Sequence, residues 1–93
     1  MRNTLPDQPT ISALILEAES RLAMGPHPER ARRDAEMLLL HIMQQHNPAY
    51  NRAWLIANWN HALLPRVQAR LGELVTRRMA GEPIQYIVGE CEF

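Results

Sequence analysis

The 93-residue sequence offers few side chains that could bind a metal ion or act as a nucleophile. Two of its four histidines, His41 and His46, are five positions apart and would point to different sides of a helix, while His27 and His61 fall in or near predicted turns. This spacing predicts no metal site, because the ligands of one ion must converge. Cys91 has no evident base to activate its thiol, so we expect no nucleophilic role. The four glycines are too dispersed for a phosphate-binding or nucleotide-binding loop.

One segment invites a catalytic interpretation, namely Asn47-Pro48-Ala49-Tyr50. It resembles the Asn-Pro-Pro-Tyr loop with which amino-methylating enzymes hold a substrate NH2 group, through the asparagine side chain and a proline carbonyl. That loop follows a parallel strand, whereas this segment follows a predicted helix and lacks the second proline. We therefore interpret it as a helix stop followed by a turn.

The charge balance argues against nucleic acid as a partner. Ten basic residues, all of them arginine, stand against ten acidic residues, so the formal net charge is zero. A nucleic-acid-binding domain would usually be clearly basic, and we expect no direct nucleic-acid binding here. The exclusive use of arginine suits contacts with carboxylates and interfaces, although a GC-rich genome produces the same bias.

Composition indicates one small globular domain. The hydrophobic share of 46% is enough for a core. No unbroken apolar run is long enough to cross a membrane, and the polar N-terminus does not resemble a signal peptide. A single cysteine cannot form a disulfide within the chain and fits a reducing compartment. We expect a soluble, cytoplasmic domain without membrane contact.

The elements that must position any functional residue are predicted to be helices, because apolar side chains recur at helical spacing. Residues 1–9 are predicted to be a flexible lead-in. Thr10 is then the N-cap of a first helix, and Gly25, as a left-handed cap, ends it before Pro26. The residues predicted to form the buried stripe of this helix are Ile11, Leu14, Ile15, Ala18 and Leu22.

The second helix is predicted to be central. It begins at about Pro28 and stops at Asn47-Pro48. Its predicted buried stripe comprises Ala31, Ala35, Leu38, Leu39 and Ile42. Three further apolar residues lie off that stripe, so the helix should be contacted on several sides. These are Met37, Leu40 and Met43.

The remaining elements complete a predicted all-α fold, a compact bundle of four to five helices over residues 10–88. A short third helix covers about Arg52 to Asn58, and a fourth runs from Pro65 to a C-cap at Gly81. The inward residues of the fourth helix are predicted to be Val67, Leu71, Leu74 and Val75. Residues 83–88 fit one helical turn, and residues 89–93 alternate as the first strand of a β-hairpin linker would.

Two charged residues fall on the buried stripes. On a helical wheel of about 100° per residue, Arg78 lies between Leu71 and Leu74, and Asp34 lies beside the stripe of the second helix. A half-buried charge needs a partner, since an unpaired one costs several kcal/mol. We hypothesise that Asp34 and Arg78 pair and fix the register of the two helices. In the alternative, Arg78 extends to solvent and Asp34 finds a backbone partner.

Two motifs resemble those of one family, the HemK/PrmC family of release factor glutamine methyltransferases. The first resembles the family's second-helix motif and reads Arg32-Arg33-Asp34-Ala35-Glu36-Met37-Leu38-Leu39. The second, more specific motif is similar to the one that closes the family's N-terminal domain. It reads Arg77-Arg78-Met79-Ala80-Gly81-Glu82-Pro83-Ile84-Gln85-Tyr86-Ile87-Val88-Gly89, followed by Glu92-Phe93.

The resemblance implies that residues 10–88 form a helical substrate-recognition domain and that residues 89–93 begin a linker to a Rossmann-like methyltransferase domain. The family uses S-adenosylmethionine to methylate the side-chain amide of the Gly-Gly-Gln glutamine in class I peptide-chain release factors. The donor-binding loop and the genuine Asn-Pro-Pro-Tyr motif belong to that second domain. No catalytic or cofactor-binding residue is therefore expected in this chain, and its implied partners are the release factor and its own catalytic domain.

The resemblance also implies a contact surface for the release factor. The candidate docking residues are Arg32, Arg33, Trp59, Arg70 and Arg77. The residues assigned to structural roles are Asp34, Arg78, Gly81, Glu82 and Pro83. Trp54 is expected to close the core, while core packing and partner contact stay open for Trp59. The alternative for the whole chain is a stand-alone helical interaction module without enzymatic activity.

Overall fold

A computed structural model describes residues 9–63 and 65–89. In this part of the chain a 3₁₀ turn, Pro28–Arg30, precedes the second of five α-helices. The helices are α1 Ile11–Leu22, α2 Ala31–His46, α3 Arg52–Ala57, α4 Pro65–Met79 and α5 Ile84–Gly89. The prediction of an all-α bundle is confirmed. Helix α5 includes Gly89, one residue beyond the predicted end of this helix at residue 88. The rest of the predicted strand, including Cys91, lies outside the described residues.

The beginning of α1 is held by the segment that follows α3. Thr10 caps the helix as predicted, its Oγ1 accepting a hydrogen bond from the Ala13 N–H at 3.2 Å. The first helical N–H groups have no partner within the helix. Those of Ile11 and Ser12 donate to the carbonyls of His61 and Trp59 at 2.9 and 3.0 Å. The predicted stripe of α1 is entirely buried.

The end of α1 differs from the prediction. The helix stops at Leu22 with a right-handed C-cap at Ala23, and among the described residues Gly81 is the glycine with a positive φ. The left-handed cap predicted at Gly25 is therefore wrong. A Cβ at Gly25 would lie 2.8 Å from the sulfur of Met79, so this glycine packs closely against the end of α4.

Helix α2 is the centre of the bundle, since it contacts all four other helices. Its predicted stripe is buried, and Met43 is buried as well because partners lie on several sides. The helix ends at His46, and Asn47 is extended, with its Oδ1 accepting the Ala49 N–H at 3.0 Å. This local turn supports the interpretation of residues 47–50 as a helix stop.

Helix α4 packs its predicted apolar face inward and ends in a Schellman motif. The N–H groups of Gly81 and Glu82 donate to the carbonyls of Arg78 and Arg77 at 3.0 and 3.2 Å. Gly81 has φ +102°, which L side chains rarely adopt, so its predicted role as a cap is confirmed. Pro83 follows and α5 begins at Ile84. Within the described ranges, no helix has the length and apolar character needed to cross a membrane.

Candidate functional site

Two arginine–carboxylate clusters lie on different sides of α2. The first is buried between α2 and α4, where Arg78 Nε donates to Asp34 Oδ2 at 2.9 Å. Asp34 is 1% exposed and Arg78 is 6% exposed. This is the pair hypothesised from the sequence. The second carboxylate oxygen, Asp34 Oδ1, lies 3.5 Å from Arg30 Nε and accepts no hydrogen bond from the described residues.

The buried cluster continues into the turn after α4. Arg78 Nη1 donates to the backbone carbonyl of Glu82 at 3.0 Å. Arg77 binds the Glu82 carboxylate with two hydrogen bonds: Nε donates to Oε1 at 2.9 Å, and Nη2 donates to Oε2. These hydrogen bonds from Arg77 lower the pKa of Glu82 below its ordinary value. The exit from α4 toward α5 is therefore fixed by contacts from two consecutive arginines.

The second cluster lies on the outer side of α2, facing α3. Glu36 receives hydrogen bonds from Arg32 Nε at 3.1 Å and from Arg52 Nε at 3.0 Å. Arg32 Nη1 also donates to Glu19 on α1 at 3.2 Å. One glutamate thus joins α2 to α3, and one arginine joins α2 to α1.

Burial and hydrogen bonding act in opposite directions on Glu36. Partial burial raises the pKa of its carboxyl, but the hydrogen bonds from Arg52 and then Arg32 outweigh that effect and leave the pKa below its ordinary value. The hydrogen bond to Glu36 correspondingly raises the pKa of Arg32, partly offset by desolvation. Glu36 and Arg32 are therefore both charged at neutral pH.

Trp59 lies beside this outer cluster. The Arg32 guanidinium is 5.1 Å from the centre of the Trp59 ring, a cation–π distance. The backbone of Trp59 is held by its carbonyl, which accepts the Ser12 N–H. Its side chain is half-buried and packs on the core, and a partner contact by its exposed part stays a prediction. Trp54 is likewise partly buried against the core and contacts Tyr50 edge-on, with ring centres 4.5 Å apart.

Two adjoining depressions mark this surface, with volumes of about 360 and 160 Å³. They share Glu36 and Arg52 along their common edge. We define the α2–α3 face by the more exposed residues that line them, which are Arg32, Arg33, Glu36, Arg52, Ile56 and Trp59. Apolar residues supply the remaining lining, namely Met37, Leu40 and Leu55.

The five candidate docking residues do not form one site. Three of them, Arg32, Arg33 and Trp59, lie on the α2–α3 face. The other two are on α4, where Arg70 Nη1 donates to Glu73 at 2.8 Å and Arg77 binds Glu82. The spacing of Arg70 and Glu73, three positions apart on one helix, accounts for this ion pair. Arg77, in the last turn of α4, binds Glu82 in the turn that follows and does not line the α2–α3 face.

Sequence reasoning missed three residues of the α2–α3 face. Ile56, which is 57% exposed, was not among the candidate docking residues, and neither were Arg52 and Glu36. The spacing of Arg32 and Glu36, four positions apart, is a signal for an ion pair on one helix. The side of α3 that faces outward depends on tertiary packing, and a six-residue helix has too few turns to reveal it.

The described residues offer no place for a metal ion or a nucleotide-like cofactor. Within the described part of the chain, no three histidine, cysteine, aspartate or glutamate residues are grouped to hold a metal. The glycines are separated, with Gly25 packed on Met79, Gly72 inside α4 and Gly81 in a turn. S-adenosylmethionine, which the resemblance implies for the family, therefore does not fit the residues of this part of the chain.

Comparison with known proteins gives a consistent family. Residues 13–89 match the model of the PrmC N-terminal domain. A release factor glutamine methyltransferase of Shewanella oneidensis is 37% identical over 87 residues, covering 94% of this chain and 28% of that protein. The protein of the same name from Moorella thermoacetica is 36% identical over 84 residues, covering 90% of this chain and 28% of its own length.

A third relative, the release factor glutamine methyltransferase of Bordetella pertussis, is 36% identical over 66 residues, covering 71% of this chain and 23% of its own length. The chain thus spans about a quarter of the length of the curated relatives it matches. No solved structure matches the chain at comparable significance.

Proposed function

This chain belongs to the PrmC N-terminal domain family, and we propose that it docks and orients the release factor for a release factor glutamine methyltransferase. In this proposal the reacting chemistry belongs to a catalytic domain connected after α5. That domain transfers a methyl group from S-adenosylmethionine to the Gly-Gly-Gln glutamine of a class I peptide-chain release factor. The present chain contributes no catalytic residue, and the enzyme acts in the cytoplasm.

The observation that carries this proposal is the α2–α3 face. It combines an aromatic ring, an exposed aliphatic side chain and three guanidinium groups around two depressions. Tryptophan and arginine are the side chains most enriched at the energetic centres of protein interfaces.

A second contact site has a physical use in this reaction. A large protein substrate held at two places reaches the active site at a higher effective concentration than one held only by its glutamine. It also arrives with the amide oriented, which removes part of the entropic cost of the transfer step. The turn after α4 suits this role because Arg77 and Arg78 fix Glu82 and thereby the direction of α5.

Competition tests the docking role. The purified chain, added in excess to a full-length release factor glutamine methyltransferase, should slow methylation of a limiting release factor. The heat-unfolded chain serves as the control and should leave the rate unchanged. Failure of the folded chain to compete at any attainable concentration would contradict docking.

Methyl transfer by the chain itself tests the division of labour. Incubated with a release factor and S-adenosylmethionine, the chain should transfer no methyl groups. Any transfer above background would show that an active site lies within these residues. The reading frame beyond the Phe93 codon provides a separate check. It should encode a strand, a glycine-rich turn and an Asn-Pro-Pro-Tyr motif, whereas a stop codon there would favour the stand-alone interaction module.

A further inference from the structure

We propose that the α2–α3 face binds a polypeptide segment in which an apolar side chain stands next to an aspartate or glutamate. The apolar side chain lies on Ile56 and Trp59, and the carboxylate binds the guanidinium groups of Arg52 and Arg33. This inference rests on the proposed function and specifies the chemistry of the release-factor segment that the domain holds.

The apolar half of the site is formed by Ile56 and Trp59. Ile56 is 57% exposed on α3 and lines the larger depression together with the Trp59 ring. The ring is fixed in place by its stacking with Arg32 and by the backbone hydrogen bond to α1. Covering these two side chains removes apolar surface from water without requiring the helices to move.

The charged half is formed by two arginines that still have free donors. Arg52 uses only Nε to bind Glu36, and its Nη1 and Nη2 form no hydrogen bond with the described residues. Arg33 is exposed and forms no ion pair within the described ranges. The two Nη groups of an arginine match the two oxygens of a carboxylate. These two arginines meet at the smaller depression, which Glu36 also lines.

The residues that line the two depressions indicate which charge a ligand would carry. Three arginines, one glutamate and five apolar residues line the two depressions. The carboxylate of Glu36 is already satisfied by Arg32 and Arg52, so the remaining donors favour an incoming negative group. Five apolar residues around it favour an amphipathic segment over a simple anion.

Glu36 also prepares the site. Its two hydrogen bonds hold Arg32 and Arg52 in defined positions before any partner arrives. Ordering a long side chain at an interface opposes binding, and here part of that ordering has already taken place. A polypeptide is favoured over a nucleic acid because the chain has no net charge and these arginines are interleaved with a carboxylate.

Calorimetric titration of the chain with a purified class I release factor tests the inference with matched variants. Ile56→Ala should weaken binding about fivefold to tenfold, whereas Leu16→Ala, at an equally exposed aliphatic residue on α1 (55%), should not. Arg33→Glu should weaken binding about tenfold or more. Arg66→Glu, at an exposed arginine of α4 without an ion pair among the described residues, should change it less than twofold.

The outcomes separate this inference from the proposed function. If the unchanged chain binds no release factor, the docking function itself fails. If it binds and the Ile56 and Arg33 variants bind as well as their controls, docking uses another surface and this inference is overturned. A single-stranded RNA oligonucleotide that binds the chain and is lost in the Arg33→Glu variant would also overturn it, because the face would then recognise phosphates. Unchanged melting temperatures of all four variants would show that the fold is intact.

Discussion

Helix α2 carries two arginine–carboxylate clusters whose chemistry is alike and whose surroundings differ. Asp34 faces α4 and binds Arg78 in the interior, while Glu36, two residues later, faces α3 and binds Arg32 and Arg52 near the surface. A solvent-exposed ion pair contributes little to the free energy of unfolding. In the interior, removing one partner leaves the other charge unpaired, and this is strongly destabilising. The Asp34–Arg78 pair is therefore suited to stabilising the fold, whereas the cluster around Glu36 is accessible to a partner.

The two clusters also differ in how many guanidinium N–H groups remain available to a ligand. Arg78 divides its donors between Asp34 and the Glu82 carbonyl and is nearly fully buried. Arg52 makes one side-chain hydrogen bond to the described residues and stays exposed. Arg52 is therefore accessible to a ligand, whereas the Arg78 side chain is almost entirely covered by the bundle. This difference supports the proposal that Arg52 on α3 contributes to recognition, whereas Arg78 on α4 contributes to the interior of the bundle.

Breaking the buried pair should give the largest effect. Asp34→Ala or Arg78→Ala leaves an uncompensated charge in the interior and should lower the free energy of unfolding by about 3–5 kcal/mol. Urea unfolding of both single variants and the double variant measures their coupling. The double variant should lose much less than the sum of the two. Strict additivity would contradict the claim that the two residues act as a pair.

The turn after α4 should show an intermediate effect. Gly81→Ala forces a side chain into φ +102° and should cost about 1–2 kcal/mol of stability. Gly72→Ala is the matched control, since a Cβ there has no atom within 4 Å and the position is helical. It should raise stability by about 0.5–1 kcal/mol. Thermal unfolding of both variants checks the expected opposite signs, and equal signs would contradict a Schellman cap.

The exposed cluster should give the smallest change in stability. Glu36→Gln should cost about 1 kcal/mol or less at neutral pH. Because the pKa of Glu36 is lowered in the folded state, its contribution is present above the ordinary carboxyl pKa and is lost as the pH falls through the lower folded-state value. The stability difference between the unchanged chain and the variant should therefore shrink toward acid. Urea unfolding from neutral to acidic pH measures it, and a difference that grows toward acid would contradict the lowered pKa.

The sequence predicted the interior better than the surface, for physical reasons. Buried stripes follow helical periodicity, and a charge on such a stripe requires a partner, so Asp34 and Arg78 could be matched before any coordinates were known. Gly81 could be placed because a helix end needs a residue tolerant of positive φ. Gly25 misled the prediction because a glycine can also serve close packing, which depends on Met79 of a distant helix.

The contacts at the surface could not be predicted from the spacing of residues along the chain. Arg52 is 16 residues from Glu36, and their contact exists only because α3 packs back on α2. The exposure of Ile56 likewise depends on which side of α3 turns inward, where Leu55 is buried. Three of the five candidate docking residues, Arg32, Arg33 and Trp59, lie together on the α2–α3 face, and their contact with a release factor stays a prediction.

Heteronuclear NMR of the isotopically labelled chain, titrated with a class I release factor, tests the central claim most directly. The account predicts that the Trp59 indole N–H and the backbone amides of the α2–α3 face shift or broaden first. The amides around Arg78 and Glu82 should remain close to their free positions. Perturbations confined to the α1–α4 side or to the turn after α4, with an unchanged Trp59 signal, would contradict the account.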